Sequence, residues 1–290
     1  KGHLMNVTDG IGAAATSFRR VAEELGLCLE TLPDYIQDWG VFEQELMMIV
    51  GYTFANYNMG NYPPDDSTSL YKACQLFQDT SSTSYSVMKA FLSDVLDKIP
   101  RDDKKPRLKG PLKSWCLDMS SQLPAGPNAT ISAGDWSGVG TKWDGNMWDF
   151  QTCSLLVEKI GFSPRSMFPE RHWTMDWLTR HCRDRFDVTP QPTLLVDKWR
   201  FDDLVDGANA SRILFTNGMN DGWSVGAVKS NLSDSLLVLN FPNGAHHSDL
   251  SHDGPSENDT DDIKMGFEII KNILRGWIED VTSEAVSLIN

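Results

Sequence analysis

Two short apolar runs near the end of the chain are bounded by turn residues, a pattern that predicts buried strands. They are Ile213–Phe215 and Leu236–Leu239, and an Asn-Gly pair follows each run within a few residues. From Asp262 onward the apolar residues recur at every third or fourth position, which predicts a closing helix. Its apolar stripe comprises Ile263, Phe267, Ile270, Leu274, Trp277 and Val281.

The preceding two hundred residues show helical rather than strand periodicity. The clearest helix is Ser84–Ile99, which Pro100 ends. Its stripe comprises Met88, Phe91, Val95 and Ile99. The aromatic, proline-containing stretch Tyr52–Pro64 is instead predicted to be a loop. We therefore expect an α/β protein with a mainly helical domain over residues 1–200 and an α/β segment over residues 201–290.

An acidic side chain and an imidazole follow the two predicted strands. Asp221 lies in an Asn-Asp-Gly turn after the first strand, and His246 lies in Gly-Ala-His-His after the second. Loops beyond the carboxyl ends of parallel strands share one edge of a sheet, so we expect the two side chains to meet there. The order of acid before histidine is that of the α/β-hydrolase triad. Taken alone, Asn-Asp-Gly is more typical of an ordinary tight turn than of a catalytic acid.

A metal site is the chemical alternative for the histidine-rich stretch. His246, His247 and Asp249 offer three ligands, but no further histidines support them, so we expect no metal and no cofactor. His247 is more consistent with packing beside the functional histidine. His181 lies in a polar, Arg-rich stretch, which favours a solvent-exposed position.

Charge and hydropathy disfavour nucleic acid and membranes as partners. The chain has 26 Lys and Arg against 40 Asp and Glu, a formal net charge of −14 at pH 7. This balance disfavours nucleic acid and anionic membrane surfaces. The longest apolar run, Leu46–Val50, is far too short to span a bilayer.

Because Lys1 is followed by no signal-peptide pattern, we expect the chain to begin inside a longer precursor.

Cysteines and glycosylation sequons both indicate an oxidising compartment. The cysteines are widely spaced without a Cys-x-x-Cys pair, which favours structural disulfides over zinc or thioredoxin-type chemistry. An odd number of them leaves one thiol over. They are Cys28, Cys74, Cys116, Cys153 and Cys182. The five sequons begin at Asn6, Asn128, Asn209, Asn231 and Asn258.

These motifs resemble those of the serine peptidase family of lysosomal Pro-Xaa carboxypeptidase and dipeptidyl peptidase II. The specific matches are Phe215–Gly218, Asn220–Ser224 and Asn243–Leu250. Weaker matches are Asn61–Pro63, Ala73–Gln75 and Trp148–Cys153. The resemblance implies an α/β-hydrolase with a helical cap, secreted or located in a lysosome or vacuole, whose substrates are peptides with proline near the scissile bond.

The resemblance also assigns roles to single residues. Asp221 would be the triad acid and His246 the triad base. Trp223 would line the pocket for the proline ring, because a flat indole offers a large contact area to a rigid pyrrolidine. Asn61 and Tyr62 would contact the substrate. Relatives often carry an acid at the position of Asn61, where it helps to recognise a free amino group.

The family's disulfide pattern implies the pairs Cys28–Cys116 and Cys153–Cys182. Cys74 would then be the odd thiol, because the neighbourhood of its usual partner reads Ala13-Ala14-Ala15.

The largest departure from the family is that the chain shows no nucleophile elbow. The pattern Gly-x-Ser-x-Gly occurs once, at Gly222–Gly226, directly after Asp221 in a loop that no predicted helix follows. The stretch Gly134–Gly138 has its serine mis-spaced and follows no predicted strand. We therefore expect the nucleophile to lie in a missing N-terminal segment of the same precursor, which would leave this chain alone inactive. The alternative is a non-catalytic α/β-hydrolase-like binding protein. The terminus at which substrates are cleaved and the oligomeric state, a homodimer included, remain open.

Overall fold

The computed structural model describes residues 18–27, 39–98, 143–157, 163–166, 168, 173–250 and 253–287. The helices are α1 (Phe18–Glu24), α2 (Trp39–Met59), α3 (Ser69–Gln78), α4 (Ser84–Lys98), α5 (Trp143–Ser154), α6 (Met175–Phe186), α7 (Leu194–Trp199) and α8 (Asp261–Ser287). The strands are β1 (Ile213–Gly218) and β2 (Leu236–Phe241), and a short 3-10 helix spans Gly222–Gly226. Within these ranges we find no helix that combines the length and the apolar character of a membrane span.

The two predicted strands pair in parallel. Ile213 lies opposite Leu236 and Gly218 lies opposite Phe241. Their carboxyl ends therefore lie at one edge, as the sequence pattern predicts. In the described part of the chain this pair is the whole sheet, and helices make up most of the rest. The complete α/β-hydrolase fold stays a prediction.

The chain divides into two compact units, each assembled from two stretches of sequence. Unit 1 takes Lys1–Asn56 and Ala73–Leu195, and unit 2 takes Tyr57–Lys72 and Val196–Asn290. The later boundary falls between Leu195 and Val196, and the division at residue 200 into a helical domain and an α/β segment stays a prediction. The segment Tyr57–Lys72, however, groups with the α/β unit rather than with the helical one, because its side chains bond to loops that follow β1 and β2.

Unit 1 contains a helical core with an aromatic centre. Phe54 is 7% exposed, and its ring stacks on Phe91 at a centroid distance of 5.3 Å. The prediction of a loop over Tyr52–Pro64 is therefore wrong for its first half, because Phe54 is part of the core and α2 continues to Met59. The predicted helix α4 is confirmed, with Met88 and Phe91 fully buried.

A disulfide joins α5 to α6 in unit 1. Cys153 and Cys182 form the pair that the resemblance implies, and both are fully buried beside Leu178. Cys74 is a free, half-buried thiol. The pair Cys28–Cys116 lies outside the described residues. Of the sequon asparagines, Asn6 and Asn128 also lie outside them, whereas Asn209, Asn231 and Asn258 are exposed.

The closing helix of unit 2 packs against β2 through a glycine. Ile263 and Phe241 are almost fully buried. A Cβ on Gly266 would lie 2.6 Å from Cζ of Phe241 and nearer still to its Cε1, so a side chain there would displace the ring. The predicted apolar stripe faces the protein only in part, because Leu274 and Val281 are 45% and 47% exposed.

The first turn of α8 also holds the turn that follows β2. The carboxylate of Asp262 accepts hydrogen bonds from Asn243 through its backbone N–H at 2.8 Å and through Nδ2 at 3.3 Å. Burial alone would raise the pKa of Asp262, but hydrogen bonds from Thr260 and Asn243 outweigh it and lower that pKa below its usual value.

Gly266→Ala should destabilise the protein by about 1–3 kcal/mol, because the new methyl group overpacks against Phe241. Gly276→Ala on the same helix is the matched control. A Cβ at Gly276 meets nothing within 4 Å, so alanine should stabilise by up to about 1 kcal/mol through helix propensity. Urea unfolding followed by circular dichroism measures both values. Equal effects of the two substitutions would contradict the packing.

Asp262→Asn should lower stability at neutral pH by about 0.5–1 kcal/mol, a range kept small because solvent screens the partly exposed carboxylate. A lowered folded-state pKa stabilises the fold above the unfolded value of about 3.9, and this stabilisation is lost as the pH falls through the folded pKa. The difference from wild type should therefore shrink in acid. Thermal unfolding across pH measures it. Asp261→Asn, in the same helical turn, is the matched control, and an equal loss of stability there would contradict the role of the bonds between Asp262 and Asn243.

Candidate active site

Asp221 and His246 meet beyond the carboxyl ends of β1 and β2. Nδ1 of His246 lies 2.7 Å from Oδ2 of Asp221, and their side chains are 31% and 11% exposed. The other carboxylate oxygen accepts the backbone N–H of Trp223 at 3.1 Å and caps the 3-10 helix. The imidazole is thus oriented through Nδ1, while Nε2 makes no hydrogen bond to the described residues.

Glycines permit the two loops to approach this closely. A Cβ on Gly218 would lie 2.8 Å from the carbonyl carbon of Gly244 and would collide with the carbonyl oxygen of Ala245. With hydrogen at that position, the N–H of Asn220 donates to the carbonyl of Gly244 at 2.9 Å. The loop that carries the acid and the loop that carries the histidine are therefore joined through their backbones.

The end of α2, at Asn58 and Met59, contacts both loops, although the sequence does not predict a role for either residue. Asn58 donates from Nδ2 to the carbonyl of Asn220 at 2.8 Å and accepts the N–H of Gly222 at 2.7 Å. The carbonyl of Met59 accepts the N–H of His246 at 3.2 Å. These contacts join positions more than 160 residues apart in the sequence, so no local pattern reveals them.

The residues assigned to substrate binding lie near these loops and have partners of their own. The indole N–H of Trp223 lies 3.2 Å from the sulfur of Met59. The hydroxyl of Tyr62 donates to Asp259 at 3.0 Å and accepts the N–H of Thr260 at 3.0 Å. Burial raises the pKa of Tyr62 above its ordinary value. The hydroxyl is thus bound within the protein. Asn61 is half-buried beside it.

The three potential ligands of the metal alternative do not gather into one cluster in the part of the chain that the structure describes. Within the described residues, one group brings three potential ligand atoms within 4.8 Å of one another, and it does not include His246, His247 or Asp249. The rings of the two adjacent histidines instead pack against each other at a centroid distance of 3.7 Å. His247 adopts a left-handed backbone with φ 57°.

The group that does cluster lies in unit 1 and consists of Asp149, Cys153 and His181. Nε2 of His181 lies 3.0 Å from each oxygen of Asp149, and the side chains are 7% and 1% exposed. The expectation of a solvent-exposed His181 is wrong, because Trp177 stacks on its ring and buries it. The sulfur of Cys153 is bonded to Cys182, so this cluster is a buried Asp–His pair beside a disulfide rather than a thiolate site.

Comparison with known proteins places the chain among peptidases. The family model of serine carboxypeptidase S28 matches residues 12–270. The chain is 27% identical to lysosomal Pro-X carboxypeptidase of Bos taurus over 134 residues, which are 46% of this chain and 26% of the relative. It is 30% identical to the Mus musculus protein of that name over 104 residues, 36% of this chain and 21% of the relative.

A relative with a different name gives a similar result. The thymus-specific serine protease of Mus musculus is 26% identical over 151 residues, 50% of this chain and 28% of that protein. The chain spans about a quarter of the length of the curated relatives it matches. Since the family model covers most of the 290 residues, the chain belongs to the serine carboxypeptidase S28 family of serine-type peptidases.

Proposed function

We propose that this protein is a proline-selective serine-type exopeptidase in which this chain provides Asp221 and His246 of the catalytic triad. The observation that carries the proposal is the 2.7 Å contact between Oδ2 of the acid and Nδ1 of the imidazole. A carboxylate at Nδ1 fixes the tautomer in which Nε2 can accept the proton of a serine. Membership of a serine peptidase family supports the same assignment.

The geometry supports different roles for His246 and Asp221. His246 takes the proton of the attacking serine at Nε2 and gives it to the leaving amine. In the second half of the reaction it takes a proton from water and gives it to the serine oxygen. Asp221 stabilises the imidazolium that forms in each transfer. Its carboxylate is largely buried and is held from the other side by the N–H of Trp223, so it keeps its orientation while the imidazole changes charge.

Proline selectivity rests on Trp223 and on the names of the relatives. Trp223 lies two residues after the acid, is half-buried, and has its indole N–H directed to Met59. A flat ring held in this way provides contact area for a pyrrolidine at little cost in entropy. Two of the relatives are named Pro-X carboxypeptidases. Peptides with proline near the scissile bond are therefore the proposed substrates.

The nucleophile of this proposal is a serine outside the 290 residues. The one Gly-x-Ser-x-Gly of the chain, Gly222–Gly226, forms a 3-10 helix capped by Asp221 rather than a strand-to-helix elbow, and no described serine bonds to Nε2 of His246. The same observation favours the second candidate function, a non-catalytic binding protein that has the fold without a nucleophile. A lysosomal or secreted location belongs to the proposal and is supported by the lysosomal relatives and by the buried disulfide of unit 1.

In the product of the complete reading frame, Asp221→Asn should lower kcat/KM for Xaa-Pro-Yaa peptides by about 10³–10⁴-fold, because the amide favours the wrong tautomer of the imidazole. His246→Ala should lower it at least as much. The matched control is Asp234→Asn, which changes an exposed carboxylate and should leave the rate unchanged. Steady-state peptide hydrolysis measures all four proteins. Wild-type rates in Asp221→Asn would refute the triad, and no hydrolysis in any of the four would support the binding protein.

The 290-residue chain alone should remain unmodified by a fluorophosphonate probe, because a histidine–aspartate pair without a serine gives the probe no activated hydroxyl. Intact-mass spectrometry measures the adduct. A stoichiometric adduct that maps to a serine of this chain would contradict the proposed external nucleophile.

A further inference from the structure

We propose that Asn58 is a positioning residue that sets the backbone of the triad acid, an inference that takes its catalytic meaning from the proposed function. Asn58 is the next-to-last residue of α2 and belongs to unit 2. Its side-chain amide bonds to the carbonyl of Asn220 and to the N–H of Gly222, the residues on either side of Asp221.

The two bonds act on the two peptide planes that meet at the acid. The carbonyl of Asn220 belongs to the peptide group before Asp221, and the N–H of Gly222 belongs to the peptide group after it. Because each peptide group is planar, holding both groups fixes φ and ψ of the residue between them. Asp221 has φ −80° and ψ 129°. One rigid amide therefore sets the direction in which the carboxylate leaves the backbone.

Neighbouring contacts reinforce this arrangement. The N–H of Asp221 donates to the carbonyl of Gly218 at 3.0 Å, so the first peptide plane is held at both ends. A Cβ on Gly222 would lie 3.1 Å from Oδ1 of Asn58, so a residue larger than glycine would crowd the amide. The carbonyl of Met59 accepts the N–H of His246. The end of α2 thus contacts the loops of both members of the pair.

The chemistry of the site requires an amide. A carbonyl needs a donor opposite it and an N–H needs an acceptor, and one planar group of this size that offers both is the asparagine side chain. Aspartate would keep the bond to Gly222 but would place a second anionic oxygen against the carbonyl of Asn220. Leucine has nearly the same shape and would remove both bonds.

The test observes the proton between His246 and Asp221 in the 290-residue chain, which requires no hydrolysis. The chain has six histidines, so labelling them with ¹⁵N gives few signals, and Asp221→Asn identifies the one of interest by abolishing it. In Asn58→Leu this proton should exchange with solvent at least about tenfold faster than in wild type, or broaden beyond detection, because the carboxylate is no longer held against the ring.

The controls separate positioning from general destabilisation. Asn56→Leu changes an exposed asparagine of the same helix and should leave the signal unchanged. Each variant is measured equally far below its own Tm, so that an effect of stability alone is removed. If Asn58→Leu fails to fold, Asn58→Asp replaces it and should also accelerate exchange. A wild-type exchange rate in a folded variant at position 58 overturns the proposal.

A kinetic measurement on the product of the complete reading frame distinguishes this inference from the proposed function. Asn58→Leu should lower kcat by about 10–100-fold with KM changed by less than about twofold, because misplacing a catalytic group slows chemistry more than binding. If the wild type hydrolyses no peptide, the proposed function fails and the exchange measurement still decides the positioning role. If Asp221→Asn abolishes hydrolysis while Asn58→Leu leaves kcat unchanged, the positioning role fails alone.

Discussion

The close approach of two backbones at the end of the parallel strand pair constrains the candidate site. β1 and β2 end opposite one another at Gly218 and Phe241. The loops beyond them can touch because position 218 has no side chain to meet the carbonyl of Ala245. The N–H of Asn220 then donates to the carbonyl of Gly244 and holds the two loops together. This approach places Oδ2 of Asp221 2.7 Å from Nδ1 of His246. The register of the strands brings the two loops together, the glycine lets them touch, and their contact places the acid against the imidazole.

The strands of unit 2 and its Asp–His pair can be predicted from the sequence, because short local patterns mark them. Apolar runs closed by Asn-Gly located both strands, and the position of Asp221 and His246 just beyond them implied their meeting. The contacts of Asn58 and Met59 were not predictable, because their partners lie more than 160 residues away. For the same reason the end of α2 was mistaken for a loop. In sequence, its aromatic residues followed by two prolines are typical of a loop. Only tertiary packing shows that Phe54 lies in a core.

The chain contains two Asp–His pairs whose environments differ. In unit 1, Nε2 of His181 is equidistant from both oxygens of Asp149, and both side chains are almost completely buried beside a disulfide. Such a pair links α5 to α6, and it leaves almost none of the imidazole exposed. In unit 2, His246 bonds to one oxygen only and is partly exposed, so its second nitrogen remains available for proton transfer. The positions beyond two strand ends predict the pair in unit 2, whereas no local pattern links Asp149 to His181, 32 residues away.

The discontinuity of unit 2 affects the order in which the protein can be made. Its first stretch, Tyr57–Lys72, leaves the ribosome more than a hundred residues before β1, and the partners of Asn58, Met59 and Tyr62 are synthesised only after that strand. Closing so long a loop delays these contacts until the loops that follow β1 and β2 have emerged. During that interval the end of α2 is without the loops that it will hold. A nascent chain of this design therefore carries Asn58, Met59 and Tyr62 without these contacts until the loops that follow β1 and β2 have been synthesised.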